Sequence, residues 1–459
     1  MSSDLITSIV LAICLLLILI WSNRRETNST SNDPAICRII IAGVLKHKDQ
    51  PNNLSPHQAK AISNKHLPVA FGIDNAFTRT ERAHADVFVE KVKRLINIST
   101  EQWYGVSEFA RVTTSHWIEH GFPGMNHNCG NSGRKGKNDV KFITGRNRIN
   151  VANLAQILSL KVVLWLMFDK KTQDETGHEN LLNLAESINR VWISSKLKAT
   201  ESDIPRYEDD VLLQTSLVNI FGQHDRPEDN PLNLILPSFE TMWRIVLRGF
   251  LETRFASGKE EPLWRETMIA FAMNPTKSQF DGPPSTRPKS ESRVDPSIGD
   301  TRAIQSSPCA KHIIRESLRL YVPTRHIHRA YQWQPGMGTS HEIRSADIEG
   351  CHLRSDIWGS DAERFNPDRW SFLTPAQGDA FMPFGSAPFE CPAKPTFGPR
   401  MVGVLVGSLL AALEDKEHPR TWILDCEDGK VLEHLTSGKR LCPHRNSYTD
   451  LYLVRSTEQ

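Results

Sequence analysis

Residues 231–255 constrain the fold most strongly, because their apolar side chains recur at helical spacing. The apolar positions, three or four residues apart, are Leu232, Ile235, Phe239, Met242, Trp243, Val246 and Phe250. This period predicts a long buried helix. Residues 151–167 and 402–413 are also apolar at helical length, and strand-like segments are few. We therefore expect a mainly α-helical fold with small β-sheets.

Proline residues mark where these helices begin, open or end. Pro308 supplies a first-turn proline after a Ser307 cap, and the helix is predicted to run to Tyr321. Short strands are predicted at 325–333 and 448–454. The segments 127–138 and 275–308, rich in Gly, Pro, Ser and charge, are predicted to be surface loops.

Pro237 interrupts the long apolar helix. It lacks the N–H that would bond the carbonyl of Asn233, so the helix is expected to kink or open there. Glu240 and Thr241 follow, and an acid beside a hydroxyl on an apolar helix is costly without partners. Two interpretations stay open: a satisfied core glutamate at a kink, or polar groups that face a pocket.

The overall composition describes a folded chain that is not built to bind nucleic acid. The 459 residues are 39% apolar and carry a net charge of only +2, so no basic field points to nucleic acid. The eight cysteines are scattered without framework spacing, which suits a reducing compartment.

The N-terminal residues 5–21 form an uncharged, mostly apolar run. Its length lies at the short end of the membrane-spanning range. A cleaved signal peptide is the alternative, but no small-x-small site follows, and Trp21, Arg24 and Arg25 are typical of a cytosolic interface and stop. We expect a single transmembrane helix with a lumenal N terminus, a tether at 22–34 and a cytosolic body at 35–459.

Cys391 lies in a loop, 384–393, that is rich in Gly and Pro and leads into an apolar helix. A thiol at the mouth of a helix meets the positive end of the helix dipole and unpaired N–H groups. That setting favours thiolate, the form that binds metal or attacks carbon. The alternative is a small buried hydrophobic residue in a turn.

Glu316 and Arg319 are three residues apart and so lie on one helix face. Arg369, in the segment 365–370, is a second guanidinium able to close a buried Arg–Glu–Arg network. The alternative for the first pair is a surface ion pair worth less than about 1 kcal/mol.

These motifs occur in a specific order. Glu316-x-x-Arg319 precedes the 365–370 segment with Arg369, and Cys391 stands seven residues after Phe384. This order resembles the cytochrome P450 family of haem-thiolate monooxygenases. Residues 238–241 are similar to that family's oxygen-activating helix motif. The resemblance covers roughly the C-terminal half of the chain and implies a P450-like fold behind the membrane helix.

The resemblance implies a role for each motif. Cys391 would be the axial thiolate on the iron of haem b, in the loop that Phe384 opens. Glu240 and Thr241 would deliver protons to dioxygen. The remaining assignments are a scaffold for the haem loop at Glu316, Arg319 and Arg369, and a haem-propionate partner at Arg325 or Arg329. Phe389 departs from the family, which commonly has an Arg or His there to meet a propionate.

The implied function is oxidation of a hydrophobic small molecule with O2 and electrons from an NADPH–cytochrome P450 reductase. The implied location is the endoplasmic reticulum membrane. The residues of the motifs resemble those of fungal members that make secondary metabolites. One alternative is a reductase-independent haem isomerase or dehydratase, and another is a non-catalytic membrane protein of the same fold. A zinc site at Cys309 and His312 lacks a second ligand pair, and a thiol hydrolase lacks a His or Asp partner signature.

Overall fold

The structure, a computed structural model, describes residues 29–47, 50–121, 148–171, 175–197, 204–224, 226–256, 261–283, 308–333, 342–414, 422–426 and 429–455. The predicted membrane helix at 5–21 and the first part of the predicted tether lie outside these residues. The last part of the tether, 29–34, instead belongs to the folded body. Ser29–Ser31 is a strand, and Asp33 caps the helix that starts at Pro34.

Helices make up most of the described chain. Numbered along the sequence, the α-helices are α1 Pro34–Ala42, α2 Pro56–Ser63, α3 His66–Phe71, α4 Arg82–Ile96, α5 Thr100–His120, α6 Val151–Phe168, α7 Glu175–Leu197, α8 Val211–Phe221, α9 Leu232–Ile235, α10 Met242–Phe255, α11 Glu261–Met273, α12 Lys277–Asp281, α13 Ala310–Leu320, α14 Ile348–Leu353, α15 Ser355–Trp358, α16 Pro375–Ala380, α17 Phe397–Ala412 and α18 Lys430–Ser437. Short 3-10 turns lie at Tyr207–Asp209, Pro227–Asp229 and Pro367–Ser371.

The strands form small sheets. They are β1 Ser29–Ser31, β2 Lys46–His47, β3 Gln50–Pro51, β4 Arg148–Asn150, β5 His326–Tyr331, β6 Glu342–Asp347, β7 Trp422–Cys426 and β8 Leu451–Arg455. One sheet has the order β1-β6-β5, with β1 parallel and β5 antiparallel to β6, and pairs Ser29 with Arg344 and His326 with Asp347. A second has the antiparallel order β4-β8-β7, and β2 and β3 form a hairpin.

The predicted architecture, mainly helical with small sheets, is confirmed. The predicted strands at 325–333 and 448–454 appear as β5 and β8, each shorter than expected. The helix expected from Pro308 appears as α13, and its N-cap is Cys309, which makes no side-chain capping bond. The strands β1 to β4 were missed because each has only two or three residues, and β6 and β7 were missed although they are as long as β5 and β8.

The opening predicted at Pro237 is present. A π-helical turn, Leu236–Glu240, separates α9 from α10. The carbonyl of Asn233, which Pro237 cannot pair, accepts a hydrogen bond from the side-chain amide of buried Asn75 at 3.2 Å. The Thr241 hydroxyl donates to the carbonyl of Pro237 at 3.3 Å. Side chains therefore satisfy backbone groups that the interrupted helix leaves free.

Helix α6 lies in the main core. Within the described part of the chain it is the helix long and apolar enough to cross a membrane, but 78% of its apolar window is buried inside the protein. This burial identifies α6 as a core helix rather than a span. It packs with α10 and α17 in one continuous hydrophobic cluster.

Helix α17, which follows the Cys391 loop, approaches α11 closely at Gly407. A Cβ at Gly407 would collide with the backbone carbonyl of Met268 and would come within 2.7 Å of the Cβ of Ala272. Glycine in a helix normally costs about 1 kcal/mol relative to alanine. Glycine occurs here because the backbones of α17 and α11 approach too closely for a larger residue. This close packing also positions the loop before α17.

We predict that Gly407→Ala lowers the free energy of unfolding by about 1–3 kcal/mol, because the backbone of α11 has to move to admit the methyl group. Chemical denaturation followed by circular dichroism measures the change. Gly378→Ala is the matched control, because a Cβ there would meet Leu373 at 3.7 Å, an ordinary contact. Equal stability of the two variants would contradict the packing argument.

Candidate functional site

A cavity of about 1940 Å³ lies beside the Cys391 loop. Its walls come from that loop, from β5, from α7, from α10 with the π turn before it, and from residues 443–446. Ligand pockets commonly measure roughly 300–1,000 Å³. This cavity therefore has room for a large cofactor with a substrate beside it.

Backbone hydrogen bonds hold the Cys391 loop in one conformation. The Cys391 N–H donates to the carbonyl of Phe384 at 2.9 Å, and the Lys394 N–H donates to the carbonyl of Cys391 at 3.1 Å. Gly385 has φ +72°, in the left-handed region that glycine adopts without strain. Ala387, in the same loop, does not have a positive φ. Among the described non-glycine residues only Asp169 and Tyr448 do. The sulfur is thus presented at the cavity wall by a rigid turn.

The expectation that this setting favours thiolate is not met in the protein alone. Burial is the largest effect and raises the pKa of the Cys391 thiol, while the N–H of Ala393 lowers it less. Helix α17 begins only at Phe397, and the effect of a helix dipole is confined to about one turn. A metal that binds this sulfur therefore has to displace a proton.

Glu316, Arg319 and Arg369 lie together in one buried network. Arg319 donates to both carboxylate oxygens of Glu316, through Nε at 2.9 Å and Nη2 at 2.7 Å, and Arg369 Nε donates to Oε1 at 2.9 Å. Trp370 Nε1 and the Asn366 N–H also donate to Glu316, at 2.9 and 3.0 Å. Glu316 and Arg319 have no solvent exposure. Removing one partner of such a pair typically costs about 3–5 kcal/mol.

His352 joins this network to the start of the Cys391 loop, and sequence reasoning missed this role. Its Nδ1 lies 3.0 Å from the carbonyl of Arg319, and its Nε2 accepts from the Met382 N–H at 3.0 Å. A carbonyl only accepts, so Nδ1 carries the proton and the ring is neutral. Burial lowers the pKa of His352 to about 3, in agreement with a neutral ring.

The structure separates Glu240 from Thr241. Thr241 lies on the cavity wall, whereas Glu240 is 1% exposed and lies behind it. Glu240 accepts from Arg244 Nη1 at 2.9 Å and from Trp243 Nε1 at 3.2 Å, and it is also ion-paired with Arg445. Glu240 is therefore a satisfied core glutamate, while Thr241 lines the pocket with its hydroxyl bonded to the carbonyl of Pro237.

Two cations lie against Phe389, which stands where the cytochrome P450 family commonly has an Arg or His. Lys60 Nζ lies 4.3 Å from the ring centroid, and the guanidinium carbon of Arg329 lies 5.1 Å from it. Both side chains are buried, and burial lowers the pKa of Lys60 to about 8 and that of Arg329 to about 10. Arg325, the other predicted propionate partner, lines the cavity but is ion-paired with Glu349. Lys60 was not a candidate from sequence, because α2 lies far from the motifs.

Sequence comparison supplies relatives that match short segments. The chain is 30% identical over 96 residues to cytochrome P450 714B3 of Zea mays, which covers 20% of this chain and 18% of that protein. It is 51% identical over 43 residues to cytochrome P450 monooxygenase apdE of Emericella nidulans, 9% of this chain and 8% of that protein. It is 50% identical over 52 residues to benzoate 4-monooxygenase bphA of Aspergillus niger, 11% of this chain and 10% of that protein.

The chain thus spans less than a fifth of the length of these relatives. No protein-family model matches it. Among solved structures it is similar to ligand-free cytochrome P450 OleT, with a TM-score of 0.48 and 11% identity over 86% of this chain and 84% of that one. A cytochrome P450 of Thermus thermophilus gives a TM-score of 0.47 and 13% identity over 90% and 91% of the two chains. The matching sequence relatives confirm the resemblance to cytochrome P450s predicted from the motifs.

The position of His352 predicts a pH dependence of stability. Its pKa is lowered from 6.5 to about 3. Below about pH 6.5 the His352 imidazole therefore becomes protonated in the unfolded chain but stays neutral in the folded protein. The stabilisation is full above pH 6.5 and is lost as the pH falls toward 3. His352→Gln keeps a hydrogen-bond acceptor but cannot titrate. We expect a smaller loss of unfolding free energy for this variant than for the wild type between pH 6.5 and 4.

Denaturant unfolding at several pH values measures this dependence. His120→Gln, at an exposed position of α5, is the matched control and keeps the wild-type slope. The same slope in His352→Gln would show that His352 is not neutral in the folded protein.

Proposed function

We propose that the chain is a haem-thiolate monooxygenase that oxidises a hydrophobic small molecule with O2 and NADPH-derived electrons. The observation that carries this proposal is the single thiol of Cys391, held by a rigid loop on the wall of a large cavity. The order of the sequence motifs and the names of the matching relatives support the same class.

The residues present fit a haem group. The cavity offers one thiol ligand at Cys391 and, beside the same loop, two buried cations, Lys60 and Arg329. The hydroxyl of Ser386, in the loop itself, is buried without a hydrogen-bond partner in the described chain. A soft thiolate ligand suits iron, and cations suit the carboxylates of haem b. Cys391 would hold the iron, and Lys60 with Arg329 would hold the carboxylates, a role the sequence assigned to Arg325 or Arg329.

The bound haem supplies the redox chemistry, and the chain's own residues place substrate and protons. Thr241 lines the cavity, and its hydroxyl would donate a proton inside the pocket after it turns away from the carbonyl of Pro237. Glu240 is held by Arg244 and Arg445, so it acts on the pocket only when one of these partners releases it. The Glu316 network and His352 fix the entry of the Cys391 loop at Met382.

The partners and location follow from the same proposal. A reductase that draws electrons from NADPH would dock on the cytosolic body. The apolar residues 5–21 would anchor this chain in the endoplasmic reticulum membrane with its N terminus in the lumen. The role in fungal secondary metabolism is carried over from the motif resemblance alone. A reductase-independent isomerase is less favoured, since the pocket keeps the Thr241 hydroxyl.

We predict that Cys391→Ser abolishes the red-shifted Soret band of the reduced, carbon monoxide-treated protein, together with all oxygenation, because serine is a poor ligand for haem iron. Absorption spectroscopy of reconstituted full-length protein measures the band. Cys309→Ser, at a cysteine outside the cavity, is the matched control and keeps the wild-type spectrum. Oxygenation that survives in Cys391→Ser would refute the ligand assignment.

Thr241→Ala is expected to lower severalfold the product formed per NADPH consumed and to release more peroxide, because the pocket loses its hydroxyl. Thr241→Ser, which keeps the hydroxyl, is expected to stay close to wild type. Parallel assays of NADPH, product and peroxide measure the coupling. Unchanged coupling in the alanine variant would remove Thr241 from the mechanism.

A further inference from the structure

One wall of the cavity carries more positive charge than the described chain neutralises. Arg244, Arg248, Arg445 and Lys196 all line the cavity, and Glu240 is the carboxylate that pairs with Arg244 and Arg445. Arg248 donates only to backbone carbonyls, those of Cys442, His444 and Arg244. No carboxylate of the described residues contacts Lys196. Arg244 and Arg248 are buried, where charge without a counter-ion is unfavourable, whereas Lys196 is an exposed residue of the cavity wall.

A second acid near this wall adds no charge at neutral pH. Glu252, one helical turn beyond Arg248, is buried and accepts a hydrogen bond from the hydroxyl of Tyr321. Burial raises the pKa of Glu252 to about 8, so it is mostly protonated at pH 7. The excess of cations on this wall therefore remains.

Trp192 of α7 packs against two of these cations. Lys196 Nζ and the guanidinium carbon of Arg445 each lie 4.8 Å from its ring centroid. The indole N–H of Trp192 is buried and finds no hydrogen-bond acceptor within the described stretches. An ammonium and a guanidinium thus pack against one ring that lines the cavity, and both groups only donate. A negatively charged acceptor in the cavity would pair with them.

Lys196 also shows the effect of its neighbours. Burial is the largest cause that lowers the pKa of Lys196 to about 8, followed by repulsion from Arg445 and Arg244. A bound anion opposes both effects. Apolar side chains of α6 and α7, among them Val163, Met167 and Ile193, line the same cavity, so the ligand has an apolar body as well as an anionic group.

We propose that Lys196 and Arg445, packed against Trp192, form an anion site for the carboxylate of the substrate, which is therefore an apolar organic acid. This inference rests on the proposed function and names the substrate class for it. The carboxylates of haem are the other possible source of the anion. They have their own cations in Lys60 and Arg329, beside the Cys391 loop, which leaves the Trp192 wall for the substrate.

The test compares two probes of the same skeleton, 4-phenylbutanoate and 4-phenylbutanamide, by isothermal titration calorimetry on haem-reconstituted full-length protein. We expect the carboxylate to bind at least about tenfold more tightly than the amide, about 1.4 kcal/mol. Lys196→Met is expected to remove this preference and Lys196→Arg to keep it. Lys171→Met is the matched control, because Lys171 lies 4.6 Å from the Trp165 ring outside the cavity.

Haem content, measured on the same samples, distinguishes the sources of the anion. Unchanged haem content in Lys196→Met, together with loss of the carboxylate preference, supports the substrate site. Loss of haem in that variant overturns the substrate site in favour of binding of the haem carboxylates. Equal or absent binding of the two probes to the wild type also overturns the substrate site. A wild type that prefers the carboxylate but shows no thiolate spectrum keeps the anion site and rejects the proposed haem function.

Discussion

The carboxylate of Glu316 is the interaction on which the rest of the site depends. It lies fully buried and accepts from Arg319, Arg369, Trp370 and the Asn366 backbone. A charge in that position is tolerable only when each of these partners is present. The network therefore ties α13 to the turn at Pro367–Ser371, and through His352 it reaches Met382 at the entry of the Cys391 loop. A rigid loop is what allows one thiol to stand at a defined place on the cavity wall.

A second electrostatic feature of the site is the excess of positively charged side chains on the cavity wall. Two groups of positive side chains line its wall, one around Phe389 and the other around Trp192. The first contains Lys60 and Arg329 and lies beside the Cys391 loop. The second has a single acid, Glu240, among its partners. Because neighbouring cations repel one another unless anions balance them, both groups indicate ligands that bring negative charge.

Much of the site was predictable because its residues lie in local patterns. Glu316 and Arg319 share a helix face by spacing, and Pro237 opens its helix because it lacks an N–H. Lys60, His352, Trp192 and Lys196 belong to no such pattern. Their roles arise only when distant segments meet, so the sequence offered no signal for them. Burial, a tertiary property that the sequence does not show, raises the pKa of the Cys391 thiol, and the following helix begins only six residues later.

The sequence by itself determined the helical class, the break at Pro237, the Glu316–Arg319 pair and the single loop thiol. Each of these depends on residues a few positions apart, where covalent geometry and helical period limit the choices. Only the tertiary structure decided that Glu240 lies behind the wall and Thr241 on it, and that cations gather around Phe389 and Trp192. Those outcomes depend on which side chains from remote segments share a buried space. There, desolvation sets the protonation state and the need for an ionic partner.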